Sequence, residues 1–321
     1  MSRRILPVLL LVSFLAACQS QEARLAQHLE KADAFLKEQK WAEASIEFQS
    51  ALAVDPNSSA AHYGLAQSYL GAKDLRHAYW ELEETVRLDP DNVEARLRHG
   101  EFLLFGKKDE LERALETADA ILAKEPQRWE AFLLKGRALE AAGRTDEACT
   151  ALEQAVSAAP ADQPVPLLLF ANCLRTSGKS AEAEAAFTKL TESHPSVGAW
   201  TALAAFLAGA SRDAEAEAAF RKAIEIAKPE ERTAAWSTLA SFLIAKDRSA
   251  DAEAVLRDAL AADPANLELI YALARFYHGA GRPAEADRMI EEATRAKPDD
   301  PAPWLLLSSY RGRNGDLTGA L

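Results

Sequence analysis

Positive charge and reactive constellations are scarce in this chain, and each scarcity removes a class of function. The 37 basic residues are outnumbered by 49 acidic ones, giving a formal charge of -12 and a pI near 5.1. An acidic body repels nucleic-acid phosphates and anionic lipid alike, so neither is an expected partner. Six histidines, at 28, 62, 77, 99, 194 and 278, are scattered along the chain. No two have metal-ligand spacing, and none completes a nucleophile motif with serine or cysteine. They are expected to be solvated or to sit in turns. A glycine-rich phosphate loop is missing as well. No catalytic residue, metal or cofactor is therefore expected, because catalytic groups must converge in space. β-Branched residues are sparse while alanine and leucine abound, so helix propensity is high throughout and the fold class is all-α.

Cysteine occurs only three times, and the first copy closes a segment unlike the rest. Arg3 and Arg4 form a positive start, and Ile5 to Ala17 is almost wholly apolar yet too short for a permanent bilayer span. Residues 1–17 read as a cleaved signal peptide. Its end, Leu15-Ala16-Ala17-Cys18, resembles the bacterial lipobox, which implies diacylglycerol on the Cys18 thiol and Cys18 as the new N-terminus. A plain signal peptide with an incidental cysteine is the alternative; Ser2-Arg3-Arg4 also faintly resembles a twin-arginine signal. Removing residues 1–17 takes away two arginines and no acid, moving the net charge from -12 to -14. Anchoring would then be by acyl chains, each buried methylene contributing about 0.8 kcal/mol. Gln19, where aspartate would resemble an inner-membrane retention signal, points to the periplasmic face of an outer membrane. Residues 18–22 form a tether so short that the first repeats should sit against the membrane.

At 321 residues a single ordinary core would be strained, so such a chain splits into domains or grows by nearest-neighbour contacts. Pro56, Pro90, Pro126, Pro160, Pro195, Pro229, Pro264 and Pro298 lie 34, 36, 34, 35, 34, 35 and 34 residues apart. A helix-stopping residue at near-constant spacing marks a repeated helix pair. In the unit from Trp129 to Asp162, Phe132, Gly136 and Leu139 stripe a first helix and Ala148, Leu152 and Ala155 a second. Small residues where the helices approach let their axes close up. One small column runs Ala32, Ala66, Gly100, Gly136, Ala171, Ala204, Ala240, Ala274; the other runs Ala44, Ala78, Ala114, Ala148, Ala183, Ala216, Ala252, Ala286. Glycines 71, 106, 143, 178, 209 and 281 mark most inter-helix turns, where a left-handed residue is expected, and Lys246-Asp247 substitutes in one.

This pattern resembles the tetratricopeptide repeat, whose signature is matched by Trp200, Leu203, Ala204, Ala216, Phe220, Ala223 and Pro229, and again by Trp236, Leu239, Ala240, Ala252, Ala259 and Pro264. The resemblance implies a right-handed α-solenoid of tandem helix-turn-helix units, about eight plus a partial ninth. Their approximate extents are 25–58, 59–92, 93–128, 129–162, 163–196, 197–232, 233–266 and 267–300, followed by 301–321. The second and third units depart at the early aromatic, having His62 and Arg96, and the third carries a two-residue extension around Lys107 to Glu110. In the ninth, Trp304, Leu307, Gly315, Asp316 and Ala320 begin a unit whose second helix is missing. Truncation, or a partner or self-contact at this end, is the expectation for its uncovered flank.

The resemblance also implies that the first helices line a concave, partner-binding face. Carried over unit by unit, the candidate groove residues are Tyr63 and Gln67, Leu97 and Glu101, Leu133 and Arg137, Leu168 with Asn172 and Arg175, Thr201, Ser237 and Ser241, and Tyr271 with Arg275. The Lys/Asn set by which some members clamp a peptide C-terminus is absent, Leu29, Asp33, Tyr63 and Gln67 standing there instead. The remaining cysteines, Cys149 and Cys173, fall on helices that should touch. They are expected to be buried as small apolar residues, a disulfide being the alternative that an exported location permits. The functional expectation is a non-enzymatic, lipid-anchored scaffold. Its partners would be proteins of an envelope assembly or export machine (exopolysaccharide, pilus or outer-membrane), the alternative being a periplasmic polysaccharide-binding module.

Overall fold

In a computed structural model, which describes residues 20–296 and 298–315, the chain is built of helices, with no strand among the described residues. Two compact units are present, one ending at Ser177 and one beginning at Gly178. The first holds α1 (Gln21–Lys37), α2 (Trp41–Val54), α3 (Ser59–Gly71), α4 (Leu75–Leu88), α5 (Val93–Leu103), α6 (Lys108–Lys124), α7 (Trp129–Ala141), α8 (Thr145–Ala158) and α9 (Pro164–Thr176). The second holds α10 (Ser180–Ser193), α11 (Val197–Gly209), α12 (Asp213–Ile226), α13 (Pro229–Ala245), α14 (Ser249–Ala262), α15 (Leu267–Gly279), α16 (Pro283–Ala296) and α17 (Pro301–Arg313). Cys18 and its leader, and the stretch from Asp316 on, lie outside the described residues.

Seven of the eight periodic prolines lie between helices, and after five of them a capping side chain follows closely. Ser58 and Ser196 Oγ accept from the Ala61 and Ala199 N–H groups, and Asn92 and Asn266 Oδ1 from those of Ala95 and Leu269, at 3.0–3.3 Å. Each cap satisfies a donor that the first turn of a helix leaves orphaned. Pro229 behaves differently. It occupies the first turn of α13, where its missing N–H costs nothing, so that proline opens a helix instead of following one.

Both alanine columns are buried along their whole length. Every second-helix member, from Ala44 to Ala286, is fully buried. Gly136 shows why the column stays small, since a Cβ there would stand 2.6 Å from Leu152 Cγ and 3.4 Å from the Ala148 carbonyl. At Gly100 the added atom would stand 2.6 Å from Leu134 Cδ2. Leucines and phenylalanines fill the space between: Phe48, Leu82, Leu152, Phe187 and Ile290 are all essentially inaccessible. Burying such a side chain contributes roughly 1.5–3 kcal/mol, and the repeat multiplies it.

The turns depart from the sequence expectation at three glycines. Gly143, Gly178 and Gly281 do take positive φ, but Gly71 and Gly209 are the last residues of α3 and α11, and Gly106 is not left-handed either. Lys73 and Ser211 take the left-handed position in place of Gly71 and Gly209, Asp247 takes it as expected for its turn, and Gln39 takes it in the first inter-helix turn, all at φ of 57–62°. The geometry is nevertheless shared. After Lys73 the Asp74 N–H reaches back to the Tyr69 carbonyl at 2.8 Å, as the Arg144 N–H reaches Leu139 after Gly143. This six-residue closure satisfies a helix-end carbonyl and needs the left-handed residue, whichever side chain it carries. Side chains raise the energy of that conformation by about 1 kcal/mol. Lys73→Gly and Ser211→Gly should therefore each raise stability by about 0.5–1 kcal/mol. Gly143→Ala should lower it comparably, as thermal melts of the three variants would show.

In the second unit an ion-pair ladder runs from pair to pair. Arg212, Arg248 and Arg282, each just past a turn, reach back to Glu184, Glu217 and Glu253 on the preceding second helix at 2.5–2.6 Å. Each also holds an acid three residues ahead, Glu215, Asp251 or Glu285. These pairs are partly exposed, so the ladder fixes register more than it adds stability. In the first unit the place of those glutamates is taken, after Ala148, by Cys149.

Cys149 corrects the sequence expectation. Its Sγ and that of Cys173 are 2.17 Å apart, with a Cα–Cα distance of 5.5 Å, and the two form a disulfide joining α8 to α9. Both residues are buried, as expected, but they are bonded where two reduced, apolar side chains were anticipated. The burial argument alone had no access to the direction of their Cα–Cβ vectors.

Candidate functional site

Eight of the candidate residues converge in two grooves, four in each unit, while the others line neither. In the first unit Leu97, Glu101, Leu133 and Arg137 converge in a groove between α5 and α7, together with Trp129, Leu134, Glu94, Arg98 and Glu130. Leu97, Leu133 and Leu134 give it an apolar floor. Among the described residues Arg137 has no carboxylate partner, whereas Arg98 stands 3.9 Å from Glu101. On α3, Tyr63 is half-buried, and burial followed by the nearby Glu94 raises its phenol, so it remains a hydrogen-bond donor. On α9, Asn172 spends its amide on the Leu168 carbonyl at 3.0 Å, and Arg175 Nη2 donates to Asn172 at 3.5 Å.

A second groove lies in the carboxy-terminal unit. Ser237 and Ser241 of α13 and Tyr271 and Arg275 of α15 line it with Ile244, Leu256 and Phe276. Thr201 is half-buried on α11 and lines neither groove. Ser241 Oγ donates to its own helix at the Ser237 carbonyl, 2.8 Å away. Tyr271 joins this groove to a further recess against α17, where Leu305, Ser309 and Arg313 lie. Arg275 and Arg313 both stand 5.9 Å from the Tyr271 ring centroid, and Arg313 Nη1 donates to the Tyr271 hydroxyl at 3.0 Å. Aromatic faces attract guanidinium groups, so the ring pre-positions two cations without neutralising them.

Sequence reasoning missed Glu94, Trp129 and Glu130 in one groove and Arg313 in the recess that adjoins the other. Applying to α17 the offsets used for the other first helices would have found Leu305 and Ser309. Arg313 lies a further turn along and carries no such signal. Glu94, Trp129 and Glu130 lie in the first turn of their helices, before the position from which the offsets were counted.

The histidines divide. His28 and His62 pair with Glu47 and Glu81 at 2.6 Å in equivalent places of successive helix pairs, and His77 pairs with Asp74 at 2.7 Å. His99 breaks the expectation of solvated or turn histidines: it is only 5% exposed, its ring lies 5.3 Å from that of Tyr79, and its Nε2 has no partner. Burial, and then the Arg113 charge, push its pKa from 6.5 down to about 4. Between those values the unfolded chain binds a proton that the folded chain refuses, so stability falls as pH drops from about 6.5 toward 4. His99→Phe should accordingly lose less of its thermal midpoint than the parent between pH 7.5 and 5, a comparison that differential scanning calorimetry can make. Among the described residues no group of three or more potential ligands could hold a metal ion. No helix there is long and apolar enough to cross a membrane.

Comparison with known proteins bears on the same helix pairs. Residues 103–320 match the family model described as the cilia and flagella-associated protein 70 C-terminal domain, and residues 29–92 match that of the tetratricopeptide repeat. Curated proteins yield no significant match. Among solved structures, a tetratricopeptide repeat protein from Parabacteroides merdae is similar at a TM-score of 0.60 and 16% identity, over 74% of this chain and 93% of that one. Yeast Tom70 reaches 0.60 at 15% identity, over 87% of this chain and 59% of its own. PilW, described as a widely conserved type IV pilus biogenesis factor, reaches 0.53 at 21% identity, over 66% and 97%. At these identities the likeness is one of fold.

Proposed function

As the chain belongs to the tetratricopeptide-repeat family, we propose that it is a protein-interaction scaffold whose first-helix grooves hold extended or helical segments of partner proteins. One observation carries the reading. In each unit an apolar or aromatic floor adjoins an arginine lacking a carboxylate partner among the described residues, Arg137 or Arg275. A guanidinium waiting beside apolar surface is the arrangement that orients an incoming chain by its acidic groups. The reading involves no catalytic role.

Within this proposal the scaffold is exported and held to a membrane through an acylated Cys18, at the periplasmic face of the outer membrane, and serves an assembly or export machine. The leader sequence supports this, and so does the Cys149–Cys173 disulfide, since such bonds persist in oxidising compartments and are rare in the cytosol. Cys18→Ala should abolish processing and release the chain from membrane fractions. Unchanged fractionation would overturn the anchor.

The groove reading is tested in the cell of origin with Leu133→Glu/Arg137→Glu and Tyr271→Ala/Arg275→Glu. Co-purifying proteins should fall on the order of tenfold in at least one variant, with circular dichroism and melting unchanged. Equal recovery from both would reject it. The glycan alternative rests on the hydroxyls of Ser237, Ser241 and Tyr271 in the second groove. Saturable binding of the purified chain to immobilised polysaccharide, lost with Tyr271→Ala, would favour it.

A further inference from the structure

The second groove does not end at Tyr271. Between α13 and α15 lies a hollow of about 300 Å³ with Ile244, Leu256 and Phe276 in its wall, and against α17 lies a recess of about 330 Å³ with Leu267, Leu305 and Leu306. Tyr271 lines both, so the two apolar hollows share one wall. Each hollow also contributes one arginine at that wall, Arg275 to the first and Arg313 to the second, both with the guanidinium carbon 5.9 Å from the Tyr271 ring centroid. The two guanidinium carbons thus stand no farther apart than twice that distance.

These charges are left to repel one another. The ring attracts each cation but carries no charge to cancel either. Glu268 is the one other charged residue lining either hollow, and among the described residues neither arginine is ion-paired with it or with any other carboxylate. The chain as a whole has 37 basic against 49 acidic residues, so a lining with two arginines and one glutamate reverses the balance of the protein that carries it. A carboxylate entering beside Tyr271 is attracted by both guanidinium groups and accepts charge-assisted hydrogen bonds from them. A sugar fits less well. The guanidinium groups stand at the ring where a pyranose would stack, the Ser241 hydroxyl is donated to the Ser237 carbonyl, and the aliphatic walls on either side offer nothing to hydroxyls. Those walls match apolar side chains.

We propose that the hollow between α13 and α15 and the recess against α17 form one continuous docking site for a segment of a partner protein, in which an acidic side chain held by Arg275 and Arg313 lies between two bulky apolar side chains, one for each hollow. It rests on the scaffold reading and narrows it, by fixing the order apolar, acidic, apolar in what the second groove takes up.

The test places the photo-cross-linker p-benzoylphenylalanine at Ile244, at Leu305 and, as a control, at Ile46, in the full chain expressed in its cell of origin. Ile244 and Leu305 line the two hollows at 44% and 68% exposure, while Ile46 is 61% exposed on α2 in the other unit. One partner protein should be captured from both hollows and not from Ile46, and peptide mapping should find the two attachment points on either side of an aspartate or glutamate in one segment. Arg275→Gln/Arg313→Gln should cut both adducts on the order of tenfold or more, whereas Arg275→Lys/Arg313→Lys, which keeps the charges, should retain most of the yield. Both arginines are solvent-exposed, and a melting curve confirms that the variants fold. Different partners at the two positions, attachment points with no acid between them, a polysaccharide adduct, an adduct with a second copy of this chain, no adduct, or equal yields from the parent and the glutamine pair would each overturn the proposal. Co-purification that falls with Leu133→Glu/Arg137→Glu while no adduct forms at Ile244 or Leu305 refutes this site and leaves the scaffold standing. Equal recovery from both groove variants rejects the scaffold reading itself.

Discussion

Replacing Cys149 and Cys173 together by alanine is expected to lower the stability of the amino-terminal unit by about 3 kcal/mol. The bond closes a loop spanning 24 residues, and the loss of chain entropy that such a closure imposes on the unfolded state comes to roughly 3.5 kcal/mol. It also ties α9, the last helix of its unit, to α8. The measurement is denaturant unfolding followed by far-ultraviolet circular dichroism. Reducing agent should shift the parent's first transition down to that of the double variant, and should leave the double variant where it is. Single variants should fall as far as the double one, because either deletion opens the same loop. If reduction leaves the parent unmoved, the cysteines are free and the sequence expectation of two apolar thiols is restored.

Gly64→Ala is expected to cost about 2–3 kcal/mol for a single added carbon. A Cβ at that position would fall within contact distance of three Phe48 ring atoms, the farthest at 2.7 Å. Phe48 is 1% exposed and surrounded by Ala32, Ala44, Ala51, Ala61 and Leu65, so its ring has nowhere to retreat. Overpacking of a dense core of this kind forces off-rotamer side chains or backbone shifts, typically at 1–3 kcal/mol. Phe48→Ala should cost more, about 3–5 kcal/mol, by leaving a cavity. The pair provides its own control. Phe48→Leu with Gly64→Ala should recover at least ~1 kcal/mol relative to the sum of the single losses, since the smaller side chain vacates the space the methyl needs. Additive losses in chemical denaturation would show that the two helices do not meet at this point.

Gly64 also shows where sequence reading ran out. The alanine columns were legible because the same small residue returns at the same place in unit after unit, and a periodic signal reports a repeated contact without coordinates. Gly64 lies two residues from the column and has no counterpart in other units, so its closeness to Phe48 of the preceding pair left no periodic trace. The turns failed for a related reason. Glycine was taken as the marker of a left-handed residue in most turns, but the conformation follows from closing the helix end, and Lys73 and Ser211 adopt it under that constraint, as Asp247 was expected to. The groove was half legible: fixed offsets along the first helices located Leu97, Leu133, Ser237 and Tyr271, while Arg313 and Trp129 required knowing which neighbouring helix faces which.

Recurrence by itself determined that this chain is helical, that its helices pair, and which small residues let the pairs close up, because each of those contacts is local and is written once per unit. Singular events were decided in three dimensions alone: the bond between Cys149 and Cys173, the division after Ser177, the burial of His99, and the seating of Arg313 against Tyr271. Each depends on directions of side chains from separate helices, and a contact that occurs only once along the chain has no period from which it could be read.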